Sequence, residues 1–146
     1  MPAGGRPSPS SVAAASDYER VAAFRAALRR FLRVSEEAAR RHGLTPRRHL
    51  LLLMIKGAPG GTETSTVSEL SERLQLAQST VTELVQRAES AGLLEREQSG
   101  DDGRVSHLSL TPEGEAALER VHSDLRPERE ALAEVLGLLG SRFEER

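Results

Sequence analysis

Four short polar side chains, Gln78, Ser79, Thr80 and Thr82, lie close together at the start of a predicted helix. Each carries an uncharged group that can form hydrogen bonds. Such groups can recognise the pattern that base pairs present in the major groove of DNA, where Gln pairs with adenine and the Thr methyl contacts thymine. The alternative for each residue is a capping or solvent role, and Ser79 could equally cap the helix in place of Ala77.

Two helices joined by a short turn position these side chains. The first helix begins after Thr66, whose hydroxyl can cap it, and the turn spans residues 75–77. Ala77 occupies the cap position of the second helix and offers no side-chain oxygen, which costs about 1 kcal/mol of capping. The apolar face of the second helix consists of Val81, Leu84, Val85 and Ala88. This arrangement predicts helix-turn-helix geometry, with the second helix presented outward.

A predicted hairpin follows the second helix. Residues 93–98 and 104–110 flank the loop Ser99-Gly100-Asp101-Asp102-Gly103, which is rich in turn-forming residues. A hairpin directly after a helix-turn-helix predicts a winged helix-turn-helix. The predicted fold is therefore mainly α with a small β-hairpin wing, a DNA-binding head and a helical dimerisation region.

The chain resembles the MarR family of multiple-antibiotic-resistance-type regulators. The resemblance extends over roughly residues 22–146 and is specific between Thr66 and Gly114. It depends on five stretches: TVSEL at 66–70, STVT at 79–82, AGLLER at 91–96, DGR at 102–104 and LSLTPEG at 108–114. The resemblance implies a sequence-specific transcriptional regulator, here a repressor that a small-molecule effector releases from double-stranded DNA.

The resemblance also assigns residues to the DNA contact. Arg87 would lie near backbone phosphates, and Arg104 would enter the minor groove with Asp102 holding its guanidinium. A plain salt bridge in the hairpin is the alternative for that pair. The sequence departs from the family at Glu83, where many members have Arg, and at Gly103, which replaces a second Arg of the wing.

Helices outside the motif predict association of two copies. We expect residues 1–16 to form a flexible tail and residues 17–146 a single MarR-like domain, with dimerisation helices over 17–42 and 112–146 and the winged region over 45–110. The family consists of two-fold dimers, which implies a homodimer on an imperfect palindrome. An intramolecular bundle in a monomer is the alternative, and the tail could instead wrap a partner subunit.

Charge is unevenly distributed along the chain, whose formal net charge is −2. Nine Arg and two Glu give +7 between residues 20 and 48, whereas four Arg and eight acids give −4 between residues 66 and 110. The family implies a small aromatic or phenolic acid as effector, and the basic stretch favours an anionic one unless its Arg residues face water. The acidic motif and Glu83 favour a rival function, a protein-interaction module without specific DNA binding.

Several other function classes lack support in the sequence. The four His residues lie on four different elements without a Cys partner, so we expect no metal site, with a metal-responsive regulator as the weaker alternative. No nucleophile elbow, phosphate loop or dinucleotide fingerprint is present, so we expect neither an enzyme nor a cofactor. There is no Cys, no apolar run of membrane-spanning length and no secretory signal, and we expect a cytoplasmic protein.

Overall fold

The structure is a computed structural model that describes residues 9–98 and 105–140, with side chains from residue 16 onward. The elements of this part are α1 (Pro9–Arg41), α2 (Pro46–Lys56), a short 3-10 helix (Pro59–Gly61), α3 (Val67–Leu74), α4 (Gln78–Ser90), β1 (Leu94–Gln98), β2 (Ser106–Leu110), α5 (Pro112–Asp124) and α6 (Arg126–Gly140). A mainly helical chain with one antiparallel hairpin confirms the predicted fold class. No helix within these two ranges has the length and apolar character needed to cross a membrane.

Helix α1 begins at Pro9, eight residues before the predicted start at Asp17. The sequence predicted a flexible tail over residues 1–16, whereas the structure includes residues 9–16 in this helix. That stretch offers little apolar surface, but it is rich in Ala and Ser and free of Gly, so its intrinsic propensity allows the helix to continue. Residues 1–8 lie outside the described part of the chain.

The chain divides into two compact units. One spans residues 35–124, and the described part of the other comprises residues 9–34 and 125–140. The first unit, which we call the winged unit, includes the end of α1 and all of α5, because α5 packs against α2 and β2. From the sequence, we predicted that the end of α1 and α5 belong to the dimerisation helices. That assignment stays a prediction.

The core of the winged unit lies where α2 meets α3, α4, α5 and β2. Its largest fully buried side chains are Leu51, Leu52, Ile55, Leu70, Leu108, Val81, Val85 and Val121. Helix α2 is central, as its apolar sequence predicts. It also carries apolar side chains on the face that points away from the core. Leu50 and Leu53 keep 40% and 38% of their surface exposed within the single chain.

Two helix starts confirm the predicted capping. The Thr45 hydroxyl accepts a hydrogen bond from the Arg48 N–H at 3.2 Å at the start of α2. The Thr66 hydroxyl accepts one from the Glu69 N–H, also at 3.2 Å, at the start of α3. Ala77 caps α4 without any side-chain hydrogen bond, as expected for Ala.

The hairpin pairs β1 with β2 in antiparallel register, from Leu94 opposite Leu110 to Gln98 opposite Ser106. A third segment joins this sheet at one residue, because Ser65 exchanges two backbone hydrogen bonds with Leu108, at 3.1 and 2.9 Å. The base of the wing is therefore tied to the segment that precedes α3.

Candidate nucleic-acid interface

The turn between α3 and α4 is closed by local hydrogen bonds. Gln75 adopts the left-handed conformation at φ +55°, which reverses the chain direction. The Leu76 N–H donates to the Ser71 carbonyl at 3.2 Å, and the Ser71 hydroxyl donates to the Leu76 carbonyl at 2.6 Å. These two bonds join Leu76 in the turn to Ser71 in α3, so they hold the turn against the end of α3.

Helix α4 has one buried face and one polar face. Val81, Val85 and Ala88 are completely buried, and they orient the helix against the core. Gln78 and Ser79, of the predicted polar face, are exposed. Thr80 and Thr82 of the same face are half-buried, as is Leu84 of the predicted apolar face. The structure thus brings the four predicted base-reading side chains together at the start of α4.

The hydrogen-bonding capacity of these side chains is only partly used within the chain. The Thr82 hydroxyl donates to the Gln78 carbonyl at 2.9 Å, so toward another molecule it offers its lone pairs and its methyl group. The Gln78 amide donates to the Ser68 hydroxyl at 3.5 Å, at the limit of hydrogen-bond length. The Gln78 side chain would therefore lose only a weak hydrogen bond if it bound another partner.

A shallow groove of about 480 Å³ runs along one side of α4, toward the start of α2. Thr80, Glu83 and Arg87 line it from α4, and Arg47 lines it from α2. The sequence did not identify Arg47 as a candidate site residue, because only the packing of α2 beside α4 brings it close to α4. Glu83 also lines this groove, and its carboxylate would repel a phosphate group placed there.

The wing is attached to the end of α4 by an ion pair. The Arg96 guanidinium on β1 contacts the Glu89 carboxylate at 2.7 and 2.8 Å, and this hydrogen-bonded pairing raises the pKa of Arg96. Asp102 and Arg104, predicted to contact DNA, lie outside the described residues, as does Gly103. Their roles stay predictions.

The root of the wing is a close contact between the chain before β1 and the start of α5. The Thr111 N–H donates to the Leu93 carbonyl at 3.1 Å, and the Thr111 hydroxyl donates to the Gly92 carbonyl at 2.6 Å. The same hydroxyl accepts from the Gly114 N–H at 3.1 Å and so caps α5. At Gly114 the two segments approach so closely that a Cβ there would overlap the Leu93 carbonyl oxygen.

Basic side chains of the winged unit fall into two groups. One group is held by carboxylates or carbonyl groups of the described residues: Arg40, Arg41, Lys56, Arg73 and Arg96. The side chains of the other group make no ion pair or hydrogen bond within the described part of the chain: Arg47, Arg48, Arg87 and Arg120. Among the described residues, the second group has no carboxylate within ion-pair distance to offset its charge.

Two His residues, His42 and His49, have defined surroundings within the winged unit. The His42 ring contacts the Asp124 carboxylate at 2.7 Å. His49 is buried in α2, and burial, followed by the nearby His122, lowers its pKa below the ordinary 6.5. Among the residues that the structure describes, no cluster of three or more His, Cys, Asp or Glu could hold a metal ion.

Comparison with known proteins matches this geometry to one family. The family model for the MarR family matches residues 42–105, which include α3, α4 and the first strand of the hairpin. Residues 42–105 are therefore similar to the MarR family. The match confirms the resemblance inferred from the sequence motifs.

A curated relative matches a longer part of the chain. The HTH-type transcriptional repressor MdtR of Bacillus subtilis (strain 168) is 35% identical over 85 residues, which are 58% of this chain and 52% of MdtR. The chain thus spans about half the length of this curated relative.

Solved structures extend the fold similarity beyond the matched segment. YusO from Bacillus subtilis is 28% identical with a TM-score of 0.57, covering 91% of this chain and 86% of YusO. A mutant of MarR from E. coli complexed with operator DNA has a TM-score of 0.65 at 21% identity, covering 83% of this chain and 88% of that protein. At 21% identity, the similarity to the MarR complex shows a shared fold and nothing more.

Proposed function

We propose that the chain is a sequence-specific DNA-binding transcriptional regulator. The observation that carries this proposal is the start of α4, where Gln78 and Ser79 are exposed while Val81 and Val85 anchor the opposite face in the core. An outward helix with uncharged hydrogen-bonding groups in its first turns suits the major groove. Similarity to the repressor MdtR and to an operator-bound MarR supports the same function.

We assign the contacts by side-chain chemistry. Gln78, Ser79, Thr80 and Thr82 face base edges, and Arg87 contacts the phosphate backbone. From the family resemblance, Arg104 enters the minor groove with its guanidinium held by Asp102. A regulator of this kind works in the compartment that holds the DNA, which for this protein we take to be the cytoplasm.

We further propose that two copies bind an imperfect palindrome. In the described part of the second compact unit, α6 buries none of its residues, and Leu136 and Leu138 on it are 47% and 66% exposed. On α1 of that unit, Tyr18 and Leu32 are 77% and 51% exposed. Apolar helical surface of this kind is normally covered by another chain, and a two-fold dimer would place its reading helices about one helical turn of DNA apart.

We also propose that the protein represses transcription and that a small-molecule effector releases it. The name of the relative MdtR supports the repressor assignment. An effector can release DNA only if it binds more tightly to a conformation that DNA does not favour. The effector is therefore expected to bind the free protein more tightly than the DNA complex.

The proposal is tested by selecting bound duplexes from a random library and titrating the enriched duplex at fixed salt. We expect Gln78→Ala to weaken binding by about 1–3 kcal/mol through the loss of a base contact. Gln86→Ala is the matched control, because it removes the same side chain from an exposed position more than two turns further along α4. Failure to enrich any sequence, or equal losses for the two variants, would overturn the base-reading assignment.

The position of Glu83 favours a second candidate function. Its carboxylate lies in the groove beside the reading helix, where it opposes phosphate. A winged-helix module that binds another protein would tolerate this charge. That function predicts that no sequence is enriched in the selection and that all duplexes are bound equally weakly in the same titrations.

A further inference from the structure

Glu83 lies at the centre of the outward face of α4. It follows Val81 by two residues and precedes Val85 by two, and two residues turn an α-helix by about 200°. Because Val81 and Val85 are completely buried, the Glu83 side chain points almost directly away from the core. Glu83 is exposed, and Ser79 lies one turn before it on the same face. A helix that enters the major groove with this face brings Glu83 to the base edges.

The Glu83 carboxylate makes no ion pair or hydrogen bond with any described residue. Arg87 follows it by four residues, a spacing at which Glu and Arg can pair along a helix, yet no ion pair joins the two. Arg47 lines the same groove from α2 and is likewise unpaired within the described part of the chain. The oxygens of the carboxylate are therefore available as acceptors to another molecule.

The neighbouring guanidinium groups reduce the cost of bringing this carboxylate to DNA. Besides Glu83, the groove is lined by Arg47, Arg87 and Glu36, and Glu36 is already paired with Arg40 at 4.0 Å. The two unpaired guanidinium groups and the one unpaired carboxylate leave a net charge of +1. Attraction between phosphates and the two Arg residues therefore offsets the repulsion between phosphates and Glu83.

A carboxylate accepts hydrogen bonds and donates none, which restricts the bases it can recognise. In the major groove, the donors are the N4 amino group of cytosine and the N6 amino group of adenine, whereas guanine and thymine present acceptors. Adenine also presents the acceptor N7 beside its amino group, and N7 would repel a carboxylate. Cytosine is therefore the base that suits Glu83 best.

We propose that Glu83 is a specificity-determining residue that recognises a cytosine of the bound duplex by accepting a hydrogen bond from its N4 amino group. The proposal rests on the proposed function, because it requires α4 to lie in the major groove. A hydrogen bond to a charged acceptor is roughly twice as strong as one between neutral groups. A duplex without this cytosine leaves the carboxylate unpaired at the base edges, so Glu83 also discriminates against other sequences.

The first test changes the DNA. The duplex enriched from the random library is titrated with the full-length protein at fixed salt, and each of its cytosines is replaced in turn by N4-methylcytosine. The methyl group takes the place of the amino hydrogen that faces the major groove, while the pair with guanine is kept. We expect at least one replacement to weaken binding about tenfold, the scale of a mismatched base pair.

The second test identifies the side chain. In Glu83→Ala the same replacement should change the affinity by less than about twofold, because the acceptor is absent. Glu72→Ala is the matched control, since it removes an exposed carboxylate from α3 and should keep the full sensitivity to the replacement. Both positions are exposed, and unchanged thermal unfolding shows that both variants are folded.

The outcomes separate this proposal from the proposed function. If no duplex is enriched, the proposed function fails and the proposal fails with it. If a duplex is enriched but no replacement weakens binding, the regulator stands and the assignment of Glu83 is overturned. The assignment is also overturned if the sensitivity persists in Glu83→Ala or is lost equally in Glu72→Ala.

Discussion

Among the glycines of the described residues, Gly114 is the one where an added methyl group should cost the most stability. The residue lies in the first turn of α5, and a Cβ built there would overlap the Leu93 carbonyl oxygen and lie 3.1 Å from the carbonyl carbon. Both obstacles are backbone atoms, which cannot rotate away as the end of a side chain can. Gly114→Ala must therefore move the start of α5 away from the wing root.

The magnitude follows from two opposing effects. Overpacking of a tight contact costs typically about 1–3 kcal/mol and sometimes more, and here it also strains the hydrogen bonds of Thr111. Ala is favoured over Gly within a helix by about 1 kcal/mol, which offsets part of this cost. We expect Gly114→Ala to lower the free energy of unfolding by about 1–3 kcal/mol.

Urea unfolding followed by circular dichroism measures this change, and the chain contains a matched control. Gly137 lies within α6, where an added Cβ meets nothing within 4 Å. Gly137→Ala should therefore raise the free energy of unfolding by about 0.5–1 kcal/mol, if α6 unfolds with the rest of the chain. If Gly114→Ala were as stable as the wild type or more stable, the close approach at the wing root would be refuted.

Two further predictions concern buried polar groups of the winged unit. The Ser65 hydroxyl is buried and finds no hydrogen-bond partner among the described residues, so Ser65→Ala should leave stability unchanged or raise it by up to about 1 kcal/mol. A clear loss in urea unfolding would contradict this. His49 has a lowered pKa in the folded state, so the unfolded state binds a proton more readily and stability should fall as the pH drops below 6.5. His49→Gln should flatten this dependence between about pH 7.5 and about pH 5.5, and an unaltered slope would assign it to other groups.

Local features of the fold could be predicted from the sequence because they depend on neighbouring residues. The Thr45 and Thr66 caps each join a hydroxyl to an amide three residues later, a distance that helix geometry sets. The uncapped start of α4 follows in the same way from Ala77. The start of α1 was misplaced because low apolar content was taken to mean disorder, whereas helix propensity alone permits the turns that begin at Pro9.

Contacts between distant residues could not be predicted, because no local pattern encodes them. The Arg73 guanidinium donates to the Met54 carbonyl at 2.7 Å and so caps the end of α2 from another helix. Likewise, Arg48 and Arg120 come to one groove only because α5 packs against α2. For the candidate site, the sequence predicted which side chains the first turns of α4 present, but not that Arg47 lies beside them.

The net negative charge of residues 66–110 is a poor guide to DNA binding, because some basic residues of the winged unit are paired and others are not. At physiological salt, charges are screened over about 8 Å. A DNA strand at α4 would therefore respond to nearby free charge more than to the net charge of the motif. Within the described part of the chain, the unpaired basic residues near α4 are Arg47 and Arg87. The negative charge of Glu83 in the same groove opposes them. Few free cations mean few phosphate contacts, and each contact contributes about −0.9 to the slope of log affinity against log salt. We therefore expect this protein to bind duplexes with a shallow salt dependence and to derive most of its discrimination from the uncharged side chains that begin with Gln78.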